Sequence, residues 1–440
     1  MIAEKPIIRG REIQLWLAPG HLTVMPLTKR SKRTVRPRKV VAKKVSAKRR
    51  VARPKSKRPN SVAATRAARR AALLRAIREA RAIRERRERL EAPPIESLKR
   101  HEENPILQPH PHNFWEMKAT FNPGAVFADN RVHLLYRAIG GDDVSVLGYA
   151  SSEDGITITE RLDEPVYVPP TLTENKHTME RGTASPVAYL SGGGWNGGCE
   201  DPRLTMIEDR IYLTYTAFDG WGSIRMALSS ISVNDFLRKQ WRWKKAALIS
   251  PPGEIHKNWM LFPEKINGRF AILHSISPEI LIDYFDTLEE LEAGERYITS
   301  TRKMIPKSGR WDSIVRGAGP PPIRTRIGWL LFYHAIDARE PGRYKLGVMV
   351  LDENDPTKVL YRSQQPILEP DADYENNGFK AGIVYSCGAV VKDGMLYVYY
   401  GGSDSVTCVA MVNLDRFLND LTKHAVPKLT AEPIVRRRKP

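Results

Sequence analysis

The residues with the most chemical potential lie in Asn196 to Gly220, NGGCEDPRLTMIEDRIYLTYTAFDG, where Asp201-Pro202-Arg203 follows a Gly-rich loop and precedes two apolar runs. A carboxylate beside a guanidinium in such a place can give or take a proton while the cation orients a hydroxylated or anionic partner. Taken alone the trio is ordinary, since most Asp-Pro-Arg sequences are turns with a surface ion pair. Equivalent places elsewhere in the chain add weight. Asn122, Glu264-Lys265 and Ser386 occupy them, and the ends of the following runs carry Arg137, Asp219, His334, Asp337 and Asp404. Hydroxyl, amide, carboxylate and cationic groups meeting in one concavity suit a sugar flanked by an anion. Trp195, Trp259 and Trp311 stand just before three of these places, where a ring can stack on a sugar face or simply pack between elements.

The positioning elements are repeated. Proline presets φ and cannot donate to a β-ladder, so the charged trio should lie at a strand entrance. Leu204 to Ile207 then reads as a strand, Glu208-Asp209-Arg210 as a turn and Ile211 to Ala217 as a second strand. Asn122-Pro123, Phe262-Pro263, Pro320-Pro321 and Ser386-Cys387 open four similar segments, with Asp129-Asn130, Asn267-Gly268 and Asp393-Gly394 as turn pairs. From the second entrance residue to the Tyr or His of the second strand (Tyr136, Tyr215, His274, Tyr333, Tyr400) the separations are 13, 13, 11, 12 and 13 residues. A third apolar segment follows each. Five such meanders must bury their faces against one another, which predicts an all-β chain folded as a five-bladed β-propeller whose innermost strands bring the entrance residues into one funnel.

Charge divides the 440 residues sharply. Residues 1–100 hold 31 Lys+Arg against 7 Asp+Glu, a net of +24, and the remainder holds 39 against 43, a net of −4. Residues 1–60 lack a core-forming pattern and are expected to be a basic disordered extension. Residues 61–100 read as a basic amphipathic helix ending before Pro93-Pro94, plus a linker. The propeller is expected over 101–425, with a basic C-terminal tail over 426–440. Residues 29–60 are a candidate arm for nonspecific polyanion binding, though without aromatic residues for base stacking, and the helix is a candidate surface for self-association. No apolar run reaches the roughly 20 residues of a membrane span. Three cysteines (Cys199, Cys387, Cys408) make neither a disulfide framework nor a zinc spacing, and a soluble, cytoplasmic protein is expected. Nucleotide-binding Gly-rich loops, metal-ligand clusters and a Gly-x-Ser-x-Gly elbow are missing from the sequence.

Several motifs together also resemble a known family, glycoside hydrolase family 130, the inverting β-mannoside phosphorylases and their hydrolytic relatives. They are FNPGAVF, LLYRA, EDPRLT, LFPEKINGRFAILH, GAGPPPI followed by GWLLFYH, YKLGVMVLDENDPTKVLYRSQQPILEP and SCGAVVKDGMLYVYYGGSD, which span most of residues 101–425. The resemblance implies that Asp201 is the general acid, acting through the sugar's 3-hydroxyl. It implies that Asn122, Arg137 and Asp404 hold the mannosyl unit, with Arg203 beside them. Lys265, His334 and Tyr344 match the phosphate-binding set, and Arg225 and Arg316 are candidates for a further phosphate-binding arginine. Inorganic phosphate is then a co-substrate and no cofactor is expected.

Three readings follow from these residues. A phosphorylase needs one acid and a cradle for phosphate, because a phosphate dianion is already a nucleophile. A β-mannosidase needs a second carboxylate to activate water, for which Glu264 and Asp219 are available. A noncatalytic glycan- or nucleic-acid-associated propeller would act through its basic arm. Phosphorolysis giving α-mannose 1-phosphate is the leading expectation.

Overall fold

The computed structural model describes residues 97–168, 194–300 and 310–424. The expectations for the basic extension, the amphipathic helix and the C-terminal tail lie outside the described residues. The described residues are mostly β. A short β1 (Lys99–Arg100) is followed by β2 (Ala119–Ala128), β3 (Arg131–Ile139) and β4 (Ser145–Ser152), with β5 (Glu160–Arg161) on the edge of β4. The second meander is β6 (Gly198–Ile207), β7 (Arg210–Phe218) and β8 (Ile224–Ser232), edged by β9 (Ala247–Leu248). The third is β10 (Met260–Leu261), β11 (Phe270–Ser275) and β12 (Leu281–Phe285). The fourth is β13 (Ile314–Ala318), β14 (Ile323–Thr325), β15 (Gly328–Ile336) and β16 (Tyr344–Leu351), edged by β17 (Val359–Arg362). The fifth is β18 (Val384–Lys392), β19 (Met395–Gly402) and β20 (Val406–Asn413), and a helix over Leu414–His424 follows it. Neighbouring strands in each meander are antiparallel. Among the described residues no helix is long and apolar enough to cross a membrane, and the three cysteines are buried and unbridged.

Turn chemistry explains the hairpins. Asp129-Asn130, Asn267-Gly268 and Asp393-Gly394 all have positive φ at both positions, the backbone that two-residue turns between right-twisted strands require. The strands read as continuous apolar runs because both faces are covered. On β15, Leu330 and Phe332 enter a cluster shared with Val384, Leu396 and Val398 of the fifth meander, whereas Leu331 and Tyr333 enter one shared with Met260, Phe262 and Leu273 of the third. Alternation of side chains along a strand produces this division. Comparable clusters join the first and second meanders through Leu135 and Leu213, and the second and third through Leu228 and Ile272. Another, containing Val132, Leu134, Tyr397 and Val409, joins the fifth to the first.

Three of the predicted tyrosines anchor a repeated clasp. Tyr136 donates to Glu116 at 2.7 Å, and Arg161 of β5 meets the same carboxylate at 2.6 Å. Tyr333 donates to Asp312 at 2.8 Å, joined by Arg362 of β17 at 2.6 Å. Tyr400 donates to Glu375 at 2.8 Å, and Arg100 of β1 binds both oxygens of that carboxylate at 2.7 and 2.8 Å. In the fifth meander the outer arginine therefore comes from the beginning of the described chain, where β1 pairs with β20. The domain boundary expected at residue 101 is too late, because Lys99 and Arg100 are part of the fifth sheet.

The first strands of four meanders carry a register shift at comparable places: Phe121/Gly124, Glu200/Arg203, Val315/Gly317 and Ser386/Gly388. This corrects the expected strand entrance. Asp201-Pro202-Arg203 lies inside β6 at a β-bulge, which lets Pro202 sit where no ladder donor is needed. Asn122 and Asp201 adopt left-handed φ values of 49° and 52°, unusual for residues other than glycine.

Candidate active site

The two bulges aim Asn122 and Asp201 into one open cavity of about 570 Å³, lined also by Lys257, Asn258, Arg316, Tyr344, Lys380, Ile383, Tyr385 and Asp404. Lys257 and Asn258 precede β10, Arg316 comes from the β13 bulge, Tyr344 opens β16, and Asp404 sits in the β19–β20 turn with φ of 52°. Four expected residues, Asn122, Asp201, Tyr344 and Asp404, thus meet in the cavity, and so does Arg316.

Buried ion pairs hold the acid candidate. Asp201 Oδ1 accepts from Asn122 Nδ2 at 2.9 Å and from Arg137 Nη1 at 3.2 Å. Arg137, fully buried, also donates to Ser145 Oγ at 3.0 Å and to Glu200 Oε1 at 3.1 Å, and Lys257 Nζ reaches the other Glu200 oxygen at 3.0 Å. Burial alone pushes the Asp201 pKa up, but the nearby charges of Arg137 and Lys257 and the Asn122 hydrogen bond hold it below the ordinary carboxylate range. Asp404 moves the other way. Its burial dominates and the charge of Asp201 adds to it, so its pKa is raised despite Lys380 at 3.5 Å. Two neighbouring carboxylates whose environments drive them apart are a recurrent feature of acid/base sites. The buried Oδ1 of Asn122 has no partner among the described residues, leaving an acceptor for a hydroxyl donor beside Asp201.

Other expected site residues do different work. Arg137 positions Asp201 from behind without lining the cavity. Arg203 is wholly buried: its guanidinium donates to the carbonyls of Gly319 (2.8 Å), Asp201 (2.9 Å) and Ala318 (3.2 Å) and to Asn258 Oδ1 (3.0 Å). It is a clamp between first strands, with its donors already engaged, and not a substrate ligand. His334 is also corrected. It is fully buried, accepts from the Ser386 N–H at 2.9 Å and stacks on Tyr385 with centroids 3.9 Å apart, outside the cavity lining. Burial, then Arg203, lowers its pKa to about 3, so it is neutral at working pH and supplies no cation for phosphate. It backs Tyr385, whose hydroxyl donates to Asn258 at 2.7 Å.

Lys265 is the largest displacement from expectation. It lies between β10 and β11, pairs with Glu208 at 2.7 Å and covers the Phe270 ring, outside the cavity lining. The cavity's lysine in this meander is Lys257. The shorter separation of 11 residues in the third repeat was the available signal that Phe262-Pro263 is not equivalent to Asp201-Pro202. Arg225 is engaged with the Ser250 carbonyl and likewise does not line the cavity. Arg316 does, with its guanidinium 5.6 Å from the Tyr344 ring centroid. Of the spare carboxylates, Asp219 caps the N–H groups of Trp221, Gly222 and Ser223 at 2.8, 2.9 and 3.0 Å, and Asp337 binds Arg339 at 2.5 Å. Neither they nor Glu264 line the cavity. Trp259 and Trp311 are packed into clusters between meanders, while Trp195 remains 41% exposed. Sequence reasoning missed Glu200, Lys257, Asn258, Lys380 and Tyr385; Lys257-Asn258 stands just before the tryptophan that was singled out.

Residues 97–423 match the family model of glycoside hydrolase family 130, described as beta-1,4-mannooligosaccharide phosphorylase. Two proteins of Thermoanaerobacter sp. (strain X514) are similar: a 1,2-beta-oligomannan phosphorylase, 37% identical over 72% of this chain and 97% of its own, and a beta-1,2-mannobiose phosphorylase, 36% identical over 72% and 98%. The solved structure of beta-1,2-mannobiose phosphorylase from Listeria innocua in complex with beta-1,2-mannobiose is 26% identical, with a TM-score of 0.55 over 74% of this chain and 99% of that one. With the motifs, the meanders and the cavity in agreement, the chain belongs to glycoside hydrolase family 130 and is an enzyme of that family.

Proposed function

We propose that the chain catalyses inverting phosphorolysis of β-mannosides, with β-1,2-linked manno-oligosaccharides as preferred substrates and α-mannose 1-phosphate as product. The observation that carries this reading is the meeting of Asp201 with Lys257 and Arg316 in one cavity. The names of the two Thermoanaerobacter relatives support the β-1,2 linkage. Asn122 and Asp404 hold the mannosyl hydroxyls, and Lys257, Arg316 and Tyr344 hold phosphate. A phosphate oxygen attacks the anomeric carbon as the glycosidic C–O bond breaks. The bonding pair leaves on the acceptor oxygen, which receives a proton relayed from Asp201 through the mannosyl 3-hydroxyl. Asp201 ends as the carboxylate that its surroundings favour and takes up a proton again only as the next phosphate binds beside Lys257, and the new C–O bond is α. Positioning and charge supply most of the acceleration, since no base is needed.

An anion beside Lys257 also removes one of the charges that depress the Asp201 pKa, so phosphate binding prepares the acid. We further propose that the five meanders are blades of a five-bladed propeller closed by β1 on β20. The cluster between fifth and first meanders and the Arg100 clasp support this arrangement. A cytoplasmic setting accords with three unbridged cysteines.

Incubation with β-1,2- and β-1,4-mannobiose, with and without phosphate, tests the function. Phosphate-dependent mannose 1-phosphate, formed faster from the β-1,2 substrate, is expected. Free mannose released at a rate indifferent to phosphate would overturn the phosphorylase in favour of the hydrolase.

A further inference from the structure

Among the described residues the cavity lining contains one aliphatic side chain, Ile383, and two tyrosines, Tyr344 and Tyr385, the rest being amide or charged groups. Tyr385 already stacks on His334 and Tyr344 lies against Arg316, so such a lining suits a mannosyl unit and phosphate and leaves the acceptor sugar little apolar surface. Two exposed aromatic rings stand on elements that also carry the site. Trp195 and Phe379 are 41% and 51% exposed, with centroids 6.2 Å apart and planes tilted by 49°. Contact between them leaves a large share of each ring exposed. An exposed aromatic pair of this kind calls for a partner that is apolar on one side and wet on the other.

Both rings are mounted firmly. Trp195 follows Gly194, whose φ of 64° and close approach to Ser145 leave no room for a Cβ. Its neighbour Asn196 donates to the Asp142 and Asp143 carbonyls at 2.6 and 3.0 Å, and the Ser145 N–H donates to Gly197 at 2.8 Å. Ser145 is the hydroxyl that accepts from Arg137, the residue behind Asp201. Phe379 precedes the cavity residue Lys380, and its N–H donates to Ser405 Oγ at 2.8 Å. A Cβ on Gly378 would fall 2.5 Å from the Ser403 side chain, so this segment lies directly on the turn that presents Asp404. One ring is thus tied to the support of Asp201 and the other to the turn of Asp404.

We propose that Trp195 and Phe379 form the platform for the acceptor sugar, the pyranose that leaves in phosphorolysis and attacks in synthesis. The assignment rests on the reading of the cavity as a mannoside site. A pyranose presents axial C–H groups on one face and hydroxyls around its rim, so its C–H face packs on the rings while its hydroxyls reach Lys380 and solvent.

The test uses the full chain as Trp195→Ala, Phe379→Ala, the double variant and Trp195→Phe. Each single alanine change is expected to raise the KM for β-1,2-mannobiose in phosphorolysis, and for the acceptor in synthesis, by about 2–10-fold. The KM for phosphate, the kcat at saturation and the melting temperature should stay near wild type, because the lost contacts are on the acceptor side and at the surface. Trp195→Phe should recover most of the loss. A double variant with wild-type acceptor saturation overturns the platform. So does one that loses self-association in sedimentation while its acceptor KM is unchanged, since the rings would then face a second copy. If the wild-type chain releases free mannose without phosphate, the proposed reaction fails, yet the mannobiose KM of the variants still tests the platform.

Discussion

Replacing Asp201 by Asn preserves the side chain's size and one acceptor oxygen while removing the carboxylate, which is charged in the empty site and takes up the transferable proton when phosphate binds. General acid catalysis contributes about 10²–10⁴-fold, and the loss should appear in kcat and kcat/KM together. Stability should change as well, contrary to what a loop position in the sequence suggests, because Asp201 is only 5% exposed and sits between Asn122 and Arg137. Arg137 also pairs with Glu200 at 3.1 Å, so the change leaves no cation unpaired and the expected loss is the net interaction that favours the Asp201 carboxylate. The folded-state pKa is lowered from 3.8 to about 2. At about 1.4 kcal/mol per pKa unit this difference corresponds to about 2–3 kcal/mol at neutral pH. A depressed carboxylate contributes stability above its unfolded pKa and loses it as pH falls through the folded value. The gap between wild type and variant should therefore be full at pH 7 and close as pH falls from about 4 toward 2. Urea unfolding at pH 7 and pH 3, with phosphate-dependent mannose 1-phosphate release at pH 7, measures both effects. Near-normal turnover would refute the acid assignment. A variant more stable than wild type at pH 7 would show that the cost of burying the charge outweighs the ion pairs.

Lys257→Ala should raise the KM for phosphate by about 10–100-fold, the scale of a charge-assisted hydrogen bond, whereas Lys265→Ala should leave phosphate saturation untouched because its surface pair with Glu208 is worth little. The reverse ranking in steady-state kinetics would return the phosphate role to Lys265. Arg100→Ala strands the buried Glu375 carboxylate and should cost about 3 kcal/mol in thermal or urea unfolding. Deletion of residues 1–60 should leave the melting temperature in place, and a large drop on that deletion would move the domain boundary toward the N-terminus. Phosphate binding should draw a proton to Asp201 as the field of Lys257 is neutralised. Calorimetry in buffers of different ionisation enthalpy, compared between wild type and Asp201→Asn, reads that uptake, and identical proton counts in the two proteins would rule it out.

The sequence by itself determined the local structure: five apolar strand pairs and their Asp-Asn, Asn-Gly and Asp-Gly turns are encoded by neighbours in the chain, and residues such as Asn122, Asp201 and Asp404 could be placed by repeat register. Its motifs also carried the family. Tertiary structure decided what depends on contacts between distant segments. The bulges that turn Asn122 and Asp201 into left-handed conformations are set by pairing against β3 and β7. The third meander opens with a two-residue strand, so its lysine at the cavity is Lys257 and not Lys265. Burial, invisible in a local pattern, converts His334 from a prospective cation into a neutral support and Arg203 into a clamp. β1 is two residues long and has no periodicity to read; only its pairing with β20, across nearly the whole described chain, and the reach of Arg100 to Glu375 make it part of the fold.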